Sequence, residues 1–111
     1  MPIINISTSV KIKNKKDFLE KSTDILASLT NKSKKFVMAK IEDCLEMYFA
    51  EDNSPCCYVE IKSIGSLKPA NMSKPLCEFI SNELGISINR IYISFEDIPA
   101  KMWGWNGKTF G

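Results

Sequence analysis

The N-terminus carries the residue best suited to acid–base chemistry. Pro2 follows the initiator methionine, and a residue this small permits excision of Met1, which would leave a secondary amine at the mature N-terminus. An α-amino group titrates close to neutrality, and burial beside a cation lowers its pKa further because both disfavour the protonated form. Since a general base works best near the working pH, Pro2 is a candidate base. The alternative is that Pro2 only begins an edge strand, where a missing N–H is tolerated.

Other common catalytic groups are absent or poorly placed. The chain contains no histidine, which excludes Ser–His and Cys–His nucleophile systems and imidazole ligands for zinc. The cysteines form no CxxC pair, so we expect no metal site and no thioredoxin-like motif. They are expected to be buried or half-buried free thiols: Cys44, Cys56, Cys57 and Cys77.

Two further features could belong to a site or to ordinary structure. Lys32 lies in the loop after the first predicted helix, where its ammonium could serve the site or be a solvated charge near a helix C-terminus. Residues 103–111 are too aromatic for a disordered tail. They are expected to form either a packed hairpin over the core or the wall of an apolar pocket.

Charge and hydropathy argue against nucleic-acid and membrane partners. The net charge is +2, and the densest basic cluster, between Lys11 and Lys16, is interpreted as a solvated helix entrance. No basic segment followed by an apolar one marks a signal peptide, and no apolar run is long enough to span a bilayer. We therefore expect a cytoplasmic location. Export by a route that needs no signal peptide stays open.

The positioning elements follow from apolar periodicity in a chain whose 111 residues suggest one domain, residues 1–111. Strands are predicted at 2–7, 36–41, 56–64 and 90–96, with a further one plausible at 45–49. Helices are predicted at 14–29, capped by Asn14, and at 69–84. Because proline fits a helix interior poorly, Pro75 suggests that the second helix has its first turn near Ser73 and Lys74.

The two halves of the chain resemble each other at an offset of 54 residues, most clearly between 37–43 and 91–97. Duplicated β-α-β units predict an α+β fold with pseudo-twofold symmetry and two helices on one face of a four-stranded mixed sheet. The uncovered face would carry apolar residues among its polar ones, which predicts an oligomer with facing sheets. These residues are Phe36, Met38, Tyr58 and Tyr92.

Nearly the whole chain resembles the macrophage migration inhibitory factor family, which includes D-dopachrome tautomerase and belongs to the tautomerase superfamily. The resemblance implies a homotrimer of β-α-β-β-α-β subunits with three sites at the subunit boundaries and no cofactor. The motifs that carry it keep the family's order and nearly its spacing: Met1-Pro2, the Lys32 loop, Ser63-Ile64-Gly65, Arg90-Ile91-Tyr92-Ile93 and Gly104-Trp105-Asn106-Gly107-Lys108-Thr109-Phe110.

The resemblance also implies a reaction, in which Pro2 moves a proton between the keto and enol forms of phenylpyruvate, hydroxyphenylpyruvate or dopachrome-like compounds. Lys32 and the backbone amide of Ile64 would stabilise negative charge on the substrate oxygen. Tyr92 would come from the neighbouring subunit. Phe36, Trp103 and Phe110 would hold an aryl ring, and Trp105 would brace them. Ser94 stands at a further position that contacts the substrate.

Several residues depart from the family pattern. Ser94 replaces an asparagine of the vertebrate members and Trp103 a smaller residue, which implies a narrower or differently selective pocket. Cys56-Cys57 replaces the vertebrate CxxC, and Glu96 stands where a channel tyrosine is expected. Two rival functions stay open: a cytokine-like protein that binds a receptor and only retains the pocket, and a dehalogenase or decarboxylase, which Arg90, as the sole arginine, makes less favourable.

Overall fold

Alternation of β-branched and polar residues near the N-terminus forms the first strand of a four-stranded mixed sheet. The structure is a computed structural model that describes residues 1–111. Two helices lie on one face of the sheet, and a short hairpin follows it. The elements are β1 (Ile3–Thr8), α1 (Lys15–Thr30), β2 (Met38–Glu42), β3 (Cys57–Ser63), α2 (Pro69–Leu84), β4 (Ile91–Asp97), β5 (Gly104–Trp105) and β6 (Lys108–Thr109).

The strand order is β2-β1-β3-β4, with β1 and β3 antiparallel at the centre and a parallel partner outside each. Each half is therefore a β-α-β unit. The two helices are related by the predicted 54-residue offset at both ends, as are the 3₁₀ turns Lys34–Phe36 and Ile88–Arg90. The predicted α+β fold with two β-α-β units is confirmed.

The helices cover one sheet face because that face carries the apolar member of each alternating pair. Ile4 and Ile6 of β1 and Val59 and Ile61 of β3 are at most 1 % exposed and join the helix residue Leu26 in the core. Burial of this kind is worth roughly 1.5–3 kcal/mol for each large aliphatic side chain. The sheet centre near Pro2 is thereby held rigid.

The predicted limits of the helices are largely correct. Asn14 caps α1 by accepting a hydrogen bond from the Asp17 amide at 3.1 Å. The later start of α2 near Ser73 is wrong, since α2 begins at Pro69 with Pro75 inside it. Pro75 lacks the N–H that would bond the Asn71 carbonyl, but Asn71 is exposed, so water can hydrate that carbonyl.

Other predicted boundaries need correction. Residues 45–49 form no strand, because this segment crosses the end of the sheet and bonds through the Cys44 and Leu45 amides to the carbonyls of Val10 and Thr8. Phe36 belongs to a 3₁₀ turn and not to β2.

Cys44 is exposed, contrary to the expectation of buried or half-buried thiols, since it lies in the surface segment that follows β2. Burial raises the pKa of the Cys57 thiol to about 12.

The face without helices exposes three of the four predicted apolar residues: Met38, Tyr58 and Tyr92. The fourth, Phe36, is also exposed but lies in the 3₁₀ turn outside the sheet. Side chains on this face also form hydrogen bonds across the strands. The side-chain amide of Asn5 donates to the Glu60 carboxylate at 3.2 Å, and the hydroxyls of Tyr58 and Ser94 are 2.7 Å apart. No helix of the chain combines the length and apolar character that a membrane span requires.

Candidate active site

Two clefts at the N-terminal end of β1 share Met1 and Phe36. One, of about 340 Å³, is also lined by Pro2, Trp103 and Trp105. The other, of about 420 Å³, is lined by Lys32, Ile64 and Phe110. Six of the eight residues predicted for the site therefore surround the chain's first residue: Pro2, Lys32, Phe36, Ile64, Trp103 and Phe110.

Pro2 is held firmly between the sheet and the clefts. Its side chain is less than 2 % exposed, and its carbonyl accepts a hydrogen bond from the Met38 amide at 3.1 Å. Its nitrogen carries Met1, which lines both clefts. Removal of Met1 would thus leave a fixed secondary amine facing the cleft.

The surroundings of the N-terminus disfavour positive charge. Burial, and to a smaller extent the Lys32 ammonium, lowers the pKa of the Met1 α-amino group below its ordinary value. The Pro2 nitrogen lies one residue deeper, in a residue that is almost fully buried. An amine created there by removal of Met1 would face deeper burial and the same Lys32 ammonium, both of which favour the neutral form.

Lys32 is placed by the end of α1. Asn31 adopts a left-handed conformation with φ of 55°, and the Lys32 amide bonds the Ala27 carbonyl at 3.1 Å, which turns the chain towards the cleft. Its ammonium makes no ion pair within the chain, whereas the nearby Lys34 pairs with Asp24 at 2.9 Å. Lys32 is therefore free to bind an anion.

Ile64 lies in the turn that follows β3. The Gly65 amide donates to the Asp97 carboxylate at 2.8 Å, and the Ile98 amide donates to the Ser63 carbonyl at 2.8 Å. Gly65 has φ of 69°, in the region that favours glycine. These bonds to the end of β4 fix the backbone of Ile64 beside the cleft.

Aromatic residues form one wall of the site. Trp105 lies edge-on to Phe36 and parallel to Phe110, with ring centroids 6.1 Å apart in each pair. The predicted hairpin brings them together through β5 and β6, whose turn has Asn106 and Gly107 at positive φ. Trp105 was expected only as a brace but itself lines the cleft, which the alternation Trp-Gly-Trp could have indicated.

Tyr92 and Ser94 are not part of this cluster. Tyr92 pairs with Tyr58, which in turn pairs with Ser7, so it lies five residues along and two strands across from Pro2. At ordinary strand spacings that separation is roughly 19 Å. Ser94 is in register with Glu60, which pairs with Asn5, so it lies three residues along and two strands across from Pro2. Within one subunit neither residue reaches the Pro2 cleft.

Once Met1 is removed, a buried amine at Pro2, an unpaired ammonium and aromatic walls would together suit proton transfer at carbon. The amine can accept the proton, the ammonium can stabilise the oxygen that gains charge, and the walls exclude water. The arrangement suits an anionic or carbonyl-bearing ligand with an apolar ring.

Comparisons with known proteins identify relatives of the whole chain. The family model for macrophage migration inhibitory factor matches residues 1–111. The macrophage migration inhibitory factor of Mus musculus is 35 % identical over 99 % of both chains, and the homologue of Brugia malayi is 31 % identical over all of both. The crystal structure of the Prochlorococcus marinus homologue superposes with a TM-score of 0.93 at 42 % identity, covering 98 % of this chain and 99 % of that one.

These matches span nearly the whole chain. Membership supports a tautomerase or cytokine-like function in general terms. The chain belongs to the macrophage migration inhibitory factor family.

Proposed function

We propose that this protein is a cofactor-independent keto–enol tautomerase of phenylpyruvate, hydroxyphenylpyruvate or dopachrome-like compounds, with Pro2 as general base after removal of Met1. The observation that carries the proposal is the placement of the unpaired Lys32 ammonium close to the partly buried N-terminus, in two adjoining clefts with aromatic walls. We propose that residues 1–111 form a single domain with this activity.

The reaction is a proton transfer within the substrate. The neutral Pro2 amine takes the proton from the carbon next to the carbonyl, and the electrons of that C–H bond form the enolate. Lys32 and the Ile64 amide stabilise the enolate oxygen, as donors to developing charge do in other enzymes. The protonated amine then returns the proton to that oxygen, which gives the enol and regenerates the amine. Ketonisation follows the same steps in reverse: the amine takes the hydroxyl proton of the enol and delivers it to carbon.

The substrate ring would lie against Phe36, Trp103 and Phe110. The half-exposed rings of Phe36 and Phe110 offer apolar surface to such a ligand. Trp105, packed between them, keeps the wall in place. Because Trp103 adds bulk at the edge, we expect a preference for flat aryl substrates over branched ones.

The site would be completed in a homotrimer, with Tyr92 and Ser94 supplied by a neighbouring subunit. The uncovered sheet face supports this arrangement, since Met38 and Tyr92 are both 63 % exposed on it. The register supports it too, because Tyr92 cannot reach Pro2 within one chain. Burial of apolar residues of this kind is a common basis of subunit contact.

The proposal is tested by the rate of hydroxyphenylpyruvate ketonisation by the mature protein, with Met1 removal confirmed by mass. We expect turnover without any added metal or cofactor. A folded trimer without activity on any aryl keto acid would contradict the proposal. It would favour the alternative, a cytokine-like protein that binds a receptor and retains the cleft.

Replacing Lys32 with methionine tests the electrostatic part of the site. Burial and, to a smaller extent, the Lys32 ammonium lower the pKa of the Met1 α-amino group. We expect the ammonium to act in the same direction on the Pro2 amine, so its loss should raise the pKa of that amine and move the acid limb of the kcat/KM profile to higher pH. KM should also rise roughly ten- to a hundredfold, as expected for a lost charge-assisted hydrogen bond. Lys34→Met is the matched control, because Lys34 pairs with Asp24. An unmoved acid limb would contradict this role for Lys32.

A further inference from the structure

A tight turn at Phe49–Asp52 is built from residues that do not favour it. The amide of each end residue bonds the carbonyl of the other, at 2.9 and 3.2 Å. The two central residues, Ala50 and Glu51, have φ of 53° and 64°. Such turns favour Asn-Gly, and left-handed backbone costs about 1–2 kcal/mol for each residue with a side chain. This turn therefore needs support from outside itself.

Arg90, the last residue of the 3₁₀ turn before β4, supplies that support. Its Nη2 lies 3.0 Å from the Asp52 carboxylate and also donates to the Ser54 carbonyl at 3.0 Å, while Nε donates to the Pro55 carbonyl at 2.9 Å. The side chain is only 14 % exposed. A planar guanidinium can satisfy three acceptors in fixed directions at once, which an ammonium on a flexible stem cannot.

The supported turn holds Phe49 between Arg90 and Tyr92. The guanidinium carbon lies 5.3 Å from the centre of the Phe49 ring, and that ring meets Tyr92 edge-on with centroids 4.7 Å apart. Tyr92 makes no other ring contact within the chain, and an apolar cavity of about 230 Å³ lies beside it. Without Phe49 the tyrosine could turn into that space.

We propose that Arg90 is a positioning residue which acts through Phe49 to fix the direction of the Tyr92 ring. This inference rests on the proposed function, in which Tyr92 projects towards the substrate cleft of a neighbouring subunit. Arg90 touches neither the cleft nor the substrate. It sets substrate affinity by restricting Tyr92, and its effect on catalysis passes entirely through that ring.

The first test is Arg90→Lys, which keeps the charge and removes the three-way contact. Loss of an edge-to-face aromatic contact, worth about 0.5–1.5 kcal/mol, should raise KM by up to roughly tenfold. The acid limb of kcat/KM should stay in place, because the Pro2 amine is untouched. The Phe49–Tyr92 ring contact, followed by NMR between labelled rings, should weaken in the same variant.

Rescue and dependence on Tyr92 distinguish this role from general destabilisation. Ala50→Asn with Glu51→Gly makes the turn stable by itself and should restore KM in the Arg90→Lys protein. In a Tyr92→Ala background, Arg90→Lys should have no further effect on KM. Lys21→Met, which removes ion pairs to Asp17 and Glu83 in the helices, is the control and should leave KM unchanged.

Three results would overturn the inference: an unchanged KM in Arg90→Lys, a KM change that persists without Tyr92, or no rescue by the stabilised turn. If the wild type proves inactive, the proposed function fails, and the ring contact alone then decides. Its loss in Arg90→Lys and return with the Asn-Gly turn would support the Arg90–Phe49–Tyr92 linkage. Its persistence in Arg90→Lys would refute that linkage.

Discussion

Replacing Pro2 with glycine is expected to lower kcat/KM for hydroxyphenylpyruvate ketonisation by about 10²–10⁴-fold, the usual contribution of a positioned general base. Glycine still provides an N-terminal amine, but as a primary amine on a flexible residue. The pyrrolidine ring is less than 2 % exposed, so its packing is what fixes the nitrogen in the cleft. Steady-state kinetics on the mature variant, confirmed by mass, give the measurement.

The control for this variant is a second proline substituted far from the cleft. Pro69→Gly changes the first residue of α2, which contacts neither cleft. It should lower the melting temperature while the folded protein keeps its kcat/KM. A Pro2→Gly enzyme with wild-type kcat/KM would mean that the base is another group.

Placing a charge at the centre of the uncovered sheet face is expected to dissociate the oligomer and abolish most activity. Tyr58 lies on the central strand β3, is 36 % exposed, and bonds Ser94 across to β4. In Tyr58→Asp a carboxylate would have to lose its hydration in the subunit contact, which costs several kcal/mol without a partner. Sedimentation should show monomers, and kcat/KM should fall by more than roughly a hundredfold if Tyr92 completes a neighbouring site.

Asn71→Asp introduces the same charge on the exposed side of α2 and should change neither quantity. Subunit mixing gives an independent check. Under the proposed trimer each site would draw on two chains. Equal amounts of Pro2→Gly and Tyr92→Ala protein, unfolded and refolded together, should then regain wild-type sites at about a quarter of positions. A fully active monomeric Tyr58→Asp protein, or no gain on mixing, would contradict shared sites.

Much of the fold could be predicted because its signals are local and occur twice. The alternation in β1 and β3 indicated which face of each strand is buried, and the 54-residue repeat indicated two β-α-β units. Asn14 marked the start of α1. The start of α2 was predicted wrongly because Pro75 is unfavourable inside a helix. The helix nevertheless continues past Pro75, since buried residues such as Leu76 and Ile80 hold it against the sheet. Packing of that apolar stripe outweighs the one lost hydrogen bond.

The site was predictable only in part for a related reason. Its members lie near strand ends and in loops, and residue types alone did not show that Lys32 is unpaired or that Trp105 lines the cleft. The turn that supports Phe49 was not predicted, because Ala50 and Glu51 are not the residues that mark such a turn. The contacts of Arg90, distant in sequence, are what stabilise it.

The central claim, that the amine of Pro2 is the base, is tested most directly by one protein prepared with and without Met1. The two forms differ at the Pro2 nitrogen, which changes from an amide to a free amine, and in the Met1 side chain, which lines both clefts until it is removed. The Pro2→Gly variant, which also lacks Met1, is the control for opening of the clefts. Ketonisation of hydroxyphenylpyruvate should be rapid in the processed form and fall to background in the form that retains Met1. Equal rates in the two forms, both folded and both trimeric, would contradict the account.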